Sequence, residues 1–380
     1  MNGTEQPERV DTLIIGAGQT GLSAGYHLAR RGMPFLILDA DARVGDHWRE
    51  QYDSLRLYSP AKFDGLPGMR FPTSSYHFPT GREMGDYLEA YAATFKLPVV
   101  SSTRVDRVQP ADVPEDGYVV TAGDRRYEAA QVVVASGAFN RPYVPEFATQ
   151  LDPSIRQLHS SQYRNPSQLR EGPVLVVGVS HSGADIAFET ARTQRTILAG
   201  HFHGELPFKI TETWFARIAW PSFEFVATHL LTMRTPIGRK MAPFVRTGGA
   251  PLIRVRSGDL AKAGVQRYDS RIVGIQDGKP ALDDGRTLDV ANVVWCTGFR
   301  PEYGWIEVAD FVGDDGWPKG VRGAAAAPGL YFLGIPFTYG FTSMNVAGAG
   351  RDAKYVVDRI VERAGATRGA REVERAVATS

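Results

Sequence analysis

Apolar and polar positions along this chain switch repeatedly between the strand period and the helix period. Thr12-Leu13-Ile14-Ile15 is a short β-rich run, and Leu22, Tyr26 and Ala29 then recur on one helical face, predicting a strand, a tight turn and a helix over 22–30. A second strand is expected at Phe35-Leu36-Ile37-Leu38. The same order returns later as Val174-Leu175-Val176-Val177, an Ala-rich helix over 184–192, and Thr196-Ile197-Leu198-Ala199. Late strand signals at Val293-Val294-Trp295-Cys296 and Leu330-Tyr331-Phe332-Leu333 are each followed by a Gly turn and read as the chain returning to its first sheet. A last helix is expected over 352–364. Between 205 and 256 lie Phe208, Trp214, Phe215, Trp220, Phe223, Phe225 and Phe244. The most apolar part, 214–231, is broken by Arg217, Pro221, Glu224 and His229, which predicts a helical lid or surface element rather than a membrane span.

The glycines sit at the strand–helix joints. In Gly16-Ala17-Gly18-Gln19-Thr20-Gly21, Gly16 permits the tight turn, Gly18 lets backbone approach a pyrophosphate, and Gly21 allows close packing of helix on strand, with the helix N-terminus facing the anion. Asp39 stands 18 residues after Gly21, at the end of the second strand, where a carboxylate accepts hydrogen bonds from ribose hydroxyls. Gly178-Val179-Ser180-His181-Ser182-Gly183 repeats the motif with Ser180 in place of the middle glycine. His201 follows Gly183 by 18 residues and so takes the place that Asp39 holds in the first unit. A hydrolase nucleophile elbow, G-x-S-x-G, would need glycine at Ser182. Ser180 and Ser182 suit hydrogen bonding to phosphate better than nucleophilic attack. His201-Phe202-His203 carries alternating histidines leaving a strand end, which are usually solvated, so no metal is expected.

Composition narrows the reading. A chain of 380 residues exceeds one ordinary core and predicts two or three domain-sized units. Its 43 basic side chains nearly cancel 42 acidic ones, leaving no global field for nucleic acid or an anionic membrane, so a small-molecule partner is expected. The single cysteine, Cys296, excludes an internal disulfide, a CxxC redox pair and a Cys-rich zinc site. The polar start over 1–9 lacks a secretory apolar segment, and no stretch of 18 apolar residues follows; a cytoplasmic protein is expected.

From about residue 11 to 361 the chain resembles the flavin-containing monooxygenase group of flavoproteins, closest to its smaller bacterial members. Besides the two Gly motifs, Val44-Gly45-Asp46-His47-Trp48 resembles that group's GGxW segment, and Tyr52-Asp53-Ser54-Leu55-Arg56-Leu57 the strand behind the flavin. Ala135-Ser136-Gly137 and Cys296-Thr297-Gly298-Phe299 resemble its two ATG-type turns. The hallmark histidine motif survives in part as His159-Ser160-Ser161-Gln162-Tyr163. The resemblance implies an α/β fold of two Rossmann-like domains, with an NAD(P)H-binding domain (166–290) inserted into a discontinuous FAD-binding domain (9–165 and 291–365) and 366–380 as a flexible tail. It places FAD against Gly16, Gly18, Gln19, Thr20, Gly21, Asp39, Ala40, Gly45, His47, Trp48, Leu57, Val105, Ala135, Gly137, Gly298 and Asn345, with the start of the final helix near Gly348-Ala349-Gly350 close to the flavin's pyrimidine edge. It places NADH or NADPH against Gly178, Ser180, His181, Ser182, Gly183 and His201, and it offers Tyr58 and His159 as catalytic.

The implied chemistry is reduction of FAD by NAD(P)H, addition of O₂ at the flavin C4a atom, and transfer of one oxygen to a small organic substrate such as an amine or sulfide. Tyr58 stands where well-studied members carry an asparagine beside that atom, which puts the lifetime of the oxygen adduct in question; as a plain packing aromatic it would serve equally well. His159 reads equally as an interdomain hydrogen-bonded histidine. His201 is neither the carboxylate that favours NADH nor the arginine that favours NADPH, so weak discrimination with a lean to NADH is expected. The same two sites would serve a flavin NAD(P)H oxidase or reductase, or a nucleotide-binding sensor or scaffold. Thioredoxin-reductase chemistry would require a dithiol. Ketone oxygenation belongs to the same fold, without added support from the incomplete histidine motif. The aromatic stretch fits a substrate lid, a homodimer contact or a helical insertion burying its own face.

Overall fold

The computed structural model describes residues 7–113, 117–139, 141–212, 214–247 and 249–378. Most of the start over 1–9 (residues 1–6), and residues 379–380 of the expected tail, lie outside the described residues. The chain opens with β1 (Glu8–Ile15), α1 (Gln19–Ala29), β2 (Leu36–Leu38), α2 (Asp46–Arg49), α3 (Gly81–Thr94) and β3 (Val99–Val100). A meander follows, of β4 (Arg107–Pro110), β5 (Tyr118–Ala122) and β6 (Arg125–Val134). Next come β7 (Arg141–Pro142), β8 (Arg156–His159), β9 (Val174–Val177), α4 (His181–Thr190) and β10 (Thr196–Ala199). After α5 (Trp220–Phe225), α6 (Pro236–Thr247) and α7 (Ser257–Lys262) stand β11 (Gln266–Tyr268), the hairpin β12 (Ile272–Gln276) and β13 (Lys279–Leu282), β14 (Asn292–Trp295), β15 (Phe299–Arg300), β16 (Leu330–Phe332) and α8 (Val346–Ala378).

Two sheets organise these elements. The first runs β3-β2-β1-β6-β5-β4, with β16 also paired to β6, and its β1, β2, β3, β6 and β16 are parallel. The second runs β11-β10-β9-β14-β8, all parallel. Strands buried on both faces read as unbroken apolar runs; β9 and β10 are buried at every position. One face of the first sheet packs on α1, α3 and α8 through Leu22, Leu88, Val357 and Ile360. Its other face is covered by Tyr303, Phe311 and Trp317.

The structure corrects three expectations. The strand at 292–295 does not return to the first sheet: β14 lies between β9 and β8 in the second, and only β16 goes back to β6. Both segments are short apolar runs ending at a Gly turn, so nothing local tells one sheet from the other. With β8 in the second sheet as well, divisions at 165/166 and 290/291 separate two strands from their neighbours. The final helix starts at Val346 and runs to Ala378, so the backbone over 366–378 is helical rather than a loose tail. Gly365 and Gly369 cost it about 1 kcal/mol each, but no proline intervenes and Ala, Glu and Arg dominate the stretch. Among the described residues no helix is long and apolar enough to cross a membrane.

Candidate active site

The two glycine turns have the same construction. In the first, Gly16 N–H donates to Leu38 O of β2 and Ala135 N–H to Ile15 O, each at 2.8 Å. In the second, Gly178 N–H donates to Ala199 O of β10 and Cys296 N–H to Val177 O, again at 2.8 Å. Gly16 has φ +108° and Gly178 φ +112°, the left-handed region that glycine enters without strain. A Cβ on Gly16 would stand 2.5 Å from the Ala135 carbonyl oxygen, and one on Gly178 2.3 Å from that of Cys296. A Cβ on Gly21 would lie 1.9 Å from Gly16 O, and one on Gly183 1.8 Å from Gly178 O. The two ATG-type turns are thus equivalent parts of two cradles, one per sheet, which is why β14 belongs beside β9.

The first cradle fits FAD. A Cβ on Gly18 would meet nothing within 4 Å, so its backbone lies open to a ligand. Gly18 caps α1 without a side-chain hydrogen bond, leaving the N–H groups of the first turn to an anion. Gln19 and Thr20 form that first turn. Asp39 grips the turn itself: its carboxylate accepts from Ala17 N–H and, at 2.8 Å, from Asp41 N–H. Burial raises its pKa, against the pull of those two N–H donors. Ala40 is exposed beside it. Gly45 adopts φ +88° where a Cβ would press on Gly85 O at 2.3 Å, which lets α2 lie on α3. This carries exposed His47, with its N–H 3.1 Å from Asp41 Oδ2, and half-buried Trp48. Leu57 is buried with its N–H on Pro79 O, and Val105 packs on the opposite face of the sheet. Gly137 has open space at its Cβ position, and Asn345 ends the short turn before α8 with its N–H on Thr342 O; Gly298, also open at its Cβ, follows β14 and so sits on the turn of the second cradle instead.

The second cradle differs in its side chains. Ser180 turns its hydroxyl to Ala250 N–H, 3.3 Å away, and caps α4 without a side-chain bond. His181 packs on Tyr58 with ring centroids 4.7 Å apart and the ring planes tilted by 44°, while its Nε2, shut off from solvent, has no partner. Burial holds its pKa below the ordinary value, partly offset by the Asp185 carboxylate. Ser182 and Gly183 complete the first turn of α4. His201, at the end of β10, has a half-exposed side chain whose Nδ1 lies 3.4 Å from Asp269 Oδ1.

Tyr58 and His159 are both committed within the protein. His159 is 2 % exposed; its Nε2 lies 3.0 Å from Gly298 O and its Nδ1 2.9 Å from Ser161 Oγ. A proton on Nε2 satisfies both contacts, and burial lowers the pKa, so the ring is a neutral clamp between the end of β8 and the Gly298 turn. Tyr58 donates its hydroxyl proton to Asp185 Oδ2 at 3.2 Å. Asp185 and Arg254, with Nη2 2.7 Å from Asp185 Oδ2, were not legible as site residues, being 69 positions apart.

Asp64 is a second buried acid that the sequence did not mark. It is fully buried, accepts from Ser59 Oγ through Oδ1, and has no partner for Oδ2. Burial raises its pKa to about 8, opposed by Ser59 and reinforced by Glu224 of α5. An unfolded aspartate titrates near about 4, so between that pH and about 8 the native state holds a proton the unfolded chain has lost. Stability then falls as pH rises, by up to about 1.4 kcal/mol per unit from this group. Asp64→Asn should flatten the dependence of unfolding midpoint on pH across that window; parallel curves for variant and parent would show that Asp64 ionises normally.

Known proteins agree with this construction. The family described as "Pyridine nucleotide-disulphide oxidoreductase" matches residues 13–203. An uncharacterized CzcO-like oxidoreductase of Geobacillus kaustophilus is 36% identical over 93% of this chain and 98% of its own length. A flavin-containing monooxygenase from Stenotrophomonas maltophilia superposes with a TM-score of 0.72 at 28% identity, over 94% of this chain and 99% of that one. The chain belongs to the flavin-containing monooxygenase-like family. The probable indole-3-pyruvate monooxygenase YUCCA1 of Arabidopsis thaliana, 27% identical over 94% of this chain and 92% of its own length, is another relative. Within this family the protein is an oxidoreductase of the flavin-dependent monooxygenase kind. The disulphide in the matched family's description has no counterpart, since Cys296 is the chain's one cysteine. Among the described residues, no group of three or more His, Cys, Asp or Glu is placed to hold a metal ion.

Proposed function

We propose that this protein uses NAD(P)H and O₂ to place one oxygen atom on a small organic substrate, an amine, sulfide or similar nucleophile, and that it accepts NADH at least as readily as NADPH. The pair of equivalent glycine cradles, one per parallel sheet, carries this reading, because one would hold FAD and the other the nicotinamide nucleotide. Bound FAD supplies the hydride acceptor and the activation of O₂. The chain's own part is to bind, orient and exclude water. Gly18 and the first turn of α1 hold the pyrophosphate, Asp39 fixes the turn, His159 clamps the Gly298 turn, and the aromatic insertion with Trp220 and Phe215 shuts out solvent. Acceptance of NADH is supported at the tip of β10, where Asp269 sets a carboxylate beside His201 and Arg267 is held by Ser257 Oγ at 3.0 Å and the Phe202 ring. A 2′-phosphate would face that carboxylate.

One observation favours a second reading, a flavin oxidase: the Tyr58 hydroxyl is spent on Asp185, where the family's well-studied members offer an amide. A single experiment separates the two. The flavin-loaded protein is reduced without oxygen by NADH or NADPH, then mixed with isotopically labelled O₂ and candidate amines and sulfides. Both nucleotides should bleach the flavin, and label should enter the product. Conversion of all the oxygen to peroxide would establish the oxidase, and a preference for NADPH of 100-fold or more, roughly 2.7 kcal/mol, would overturn the cofactor assignment.

A further inference from the structure

Helix α4 faces two ways. Its first turn completes the second glycine cradle, and one turn further on Asp185, 2 % exposed at its side chain, reaches out of the second unit. Three donors converge on Asp185 Oδ2: Tyr52 Oη at 3.1 Å, Tyr58 Oη at 3.2 Å and Arg254 Nη2 at 2.7 Å. Arg254 Nε adds 3.2 Å to Oδ1, and its Nη1 donates to Ser54 O at 3.2 Å. A carboxylate this deeply buried costs several kcal/mol in lost hydration unless its lone pairs are filled, and here they are. The donors come from the segment after α2 and from the end of the aromatic insertion, so one side chain of α4 holds both. His181, four residues before Asp185 and therefore on the same face of the helix, packs its ring on Tyr58. Tyr58 is thus gripped at its hydroxyl and along its ring by the helix whose N-terminus meets the nucleotide. Burial pushes both tyrosine hydroxyls well above their ordinary pKa, so they stay donors.

We infer that Asp185 is a positioning residue: it passes the state of the second nucleotide cradle to Tyr58, and so sets how much of the reducing power reaches substrate rather than escaping as peroxide. The inference rests on the monooxygenase reading above. Tyr58 acts in it as a wall held in place, with its proton turned to Asp185, and not as an acid.

The test uses the flavin-loaded protein with Asp185→Asn, which keeps size and one acceptor oxygen but drops the charge that binds Arg254. Flavin reduction by NADH should stay within about threefold of the parent while the peroxide released per NADH rises by about fivefold or more, the scale of one lost hydrogen bond. Tyr58→Phe leaves the Arg254–Asp185 pair intact and keeps the test open if Asp185→Asn does not fold. It should uncouple to the same extent, and a double variant that folds should be no worse than either single one. A separate readout does not depend on oxygen transfer. NAD⁺ added to flavin-free protein should change the near-ultraviolet tyrosine dichroism of the parent, and Asp185→Asn and Tyr58→Phe should lose that change while calorimetry still detects binding. Unchanged coupling in both variants, or a retained tyrosine signal, would overturn the inference. A parent that yields only peroxide with every substrate would instead overturn the monooxygenase reading, and the dichroism would still decide the role of Asp185.

Discussion

Replacing Gly21 by alanine should give protein that leaves gel filtration colourless. The added Cβ would sit 1.9 Å from the carbonyl oxygen of Gly16, a backbone atom that cannot swing aside. Relief requires α1 to lift away from β1 by an ångström or so, which spreads the N–H groups that receive the pyrophosphate and loosens α1 from α8. Flavin affinity should fall by about 100-fold or more, about 2.7 kcal/mol, with some loss of stability. Gly18→Ala separates the two effects. Its Cβ meets no protein atom within 4 Å, so the variant should melt like the parent and still bind FAD poorly, because the methyl group would stand on the open face of the turn proposed to receive the cofactor. Parent-like flavin content in Gly21→Ala would refute the assignment of this cradle to FAD.

The second large effect belongs to Gly183→Ala. Its Cβ would lie 1.8 Å from Gly178 O and 3.5 Å from the Cys296 side chain, the same obstruction in the other cradle. This variant should keep its flavin, because the first cradle is built from β1, α1 and β2 and shares no strand with the second sheet. Flavin bleaching by NADH or NADPH should slow by about 100-fold or more at sub-saturating nucleotide, whereas chemical reduction with dithionite should proceed as in the parent. Loss of flavin, or unchanged bleaching, would mean that the two cradles do not divide their work in this way. The pair of alanine variants therefore assigns one nucleotide to each turn without reference to the substrate.

Much of this site was legible before any tertiary contact was known, because its central device is local. A short β-rich run, three glycines and a helical apolar face fall within one strand–turn–helix unit, and the turn demands glycine wherever its neighbour is backbone. That is why Gly16, Gly21, Gly178 and Gly183 stand where the sequence predicts, and why Asp39 lands beside Ala17. His159 was legible as a residue of interest but not in its role, since its two partners, Ser161 and Gly298, lie on different segments.

Other features exist only through long-range contacts. The run at Val293 to Trp295 has the same period whichever sheet receives it, and its place beside Val174 to Val177 is fixed by register with strands over 100 residues earlier. Asp64 follows Lys62 and Phe63 in what reads as an ordinary polar turn; only complete burial, with Ser59 on one oxygen and Glu224 nearby, makes it an acid of pKa about 8. Tyr58 and Asp185 are 127 residues apart, and nothing in either neighbourhood marks them as partners. Sequence by itself determined the two glycine turns and the α/β class, because hydrophobic period and glycine geometry are short-range constraints. Tertiary structure alone decided which sheet each strand joins and which side chains meet at Tyr58, because burial and hydrogen-bond partners are set by segments that the sequence holds far apart.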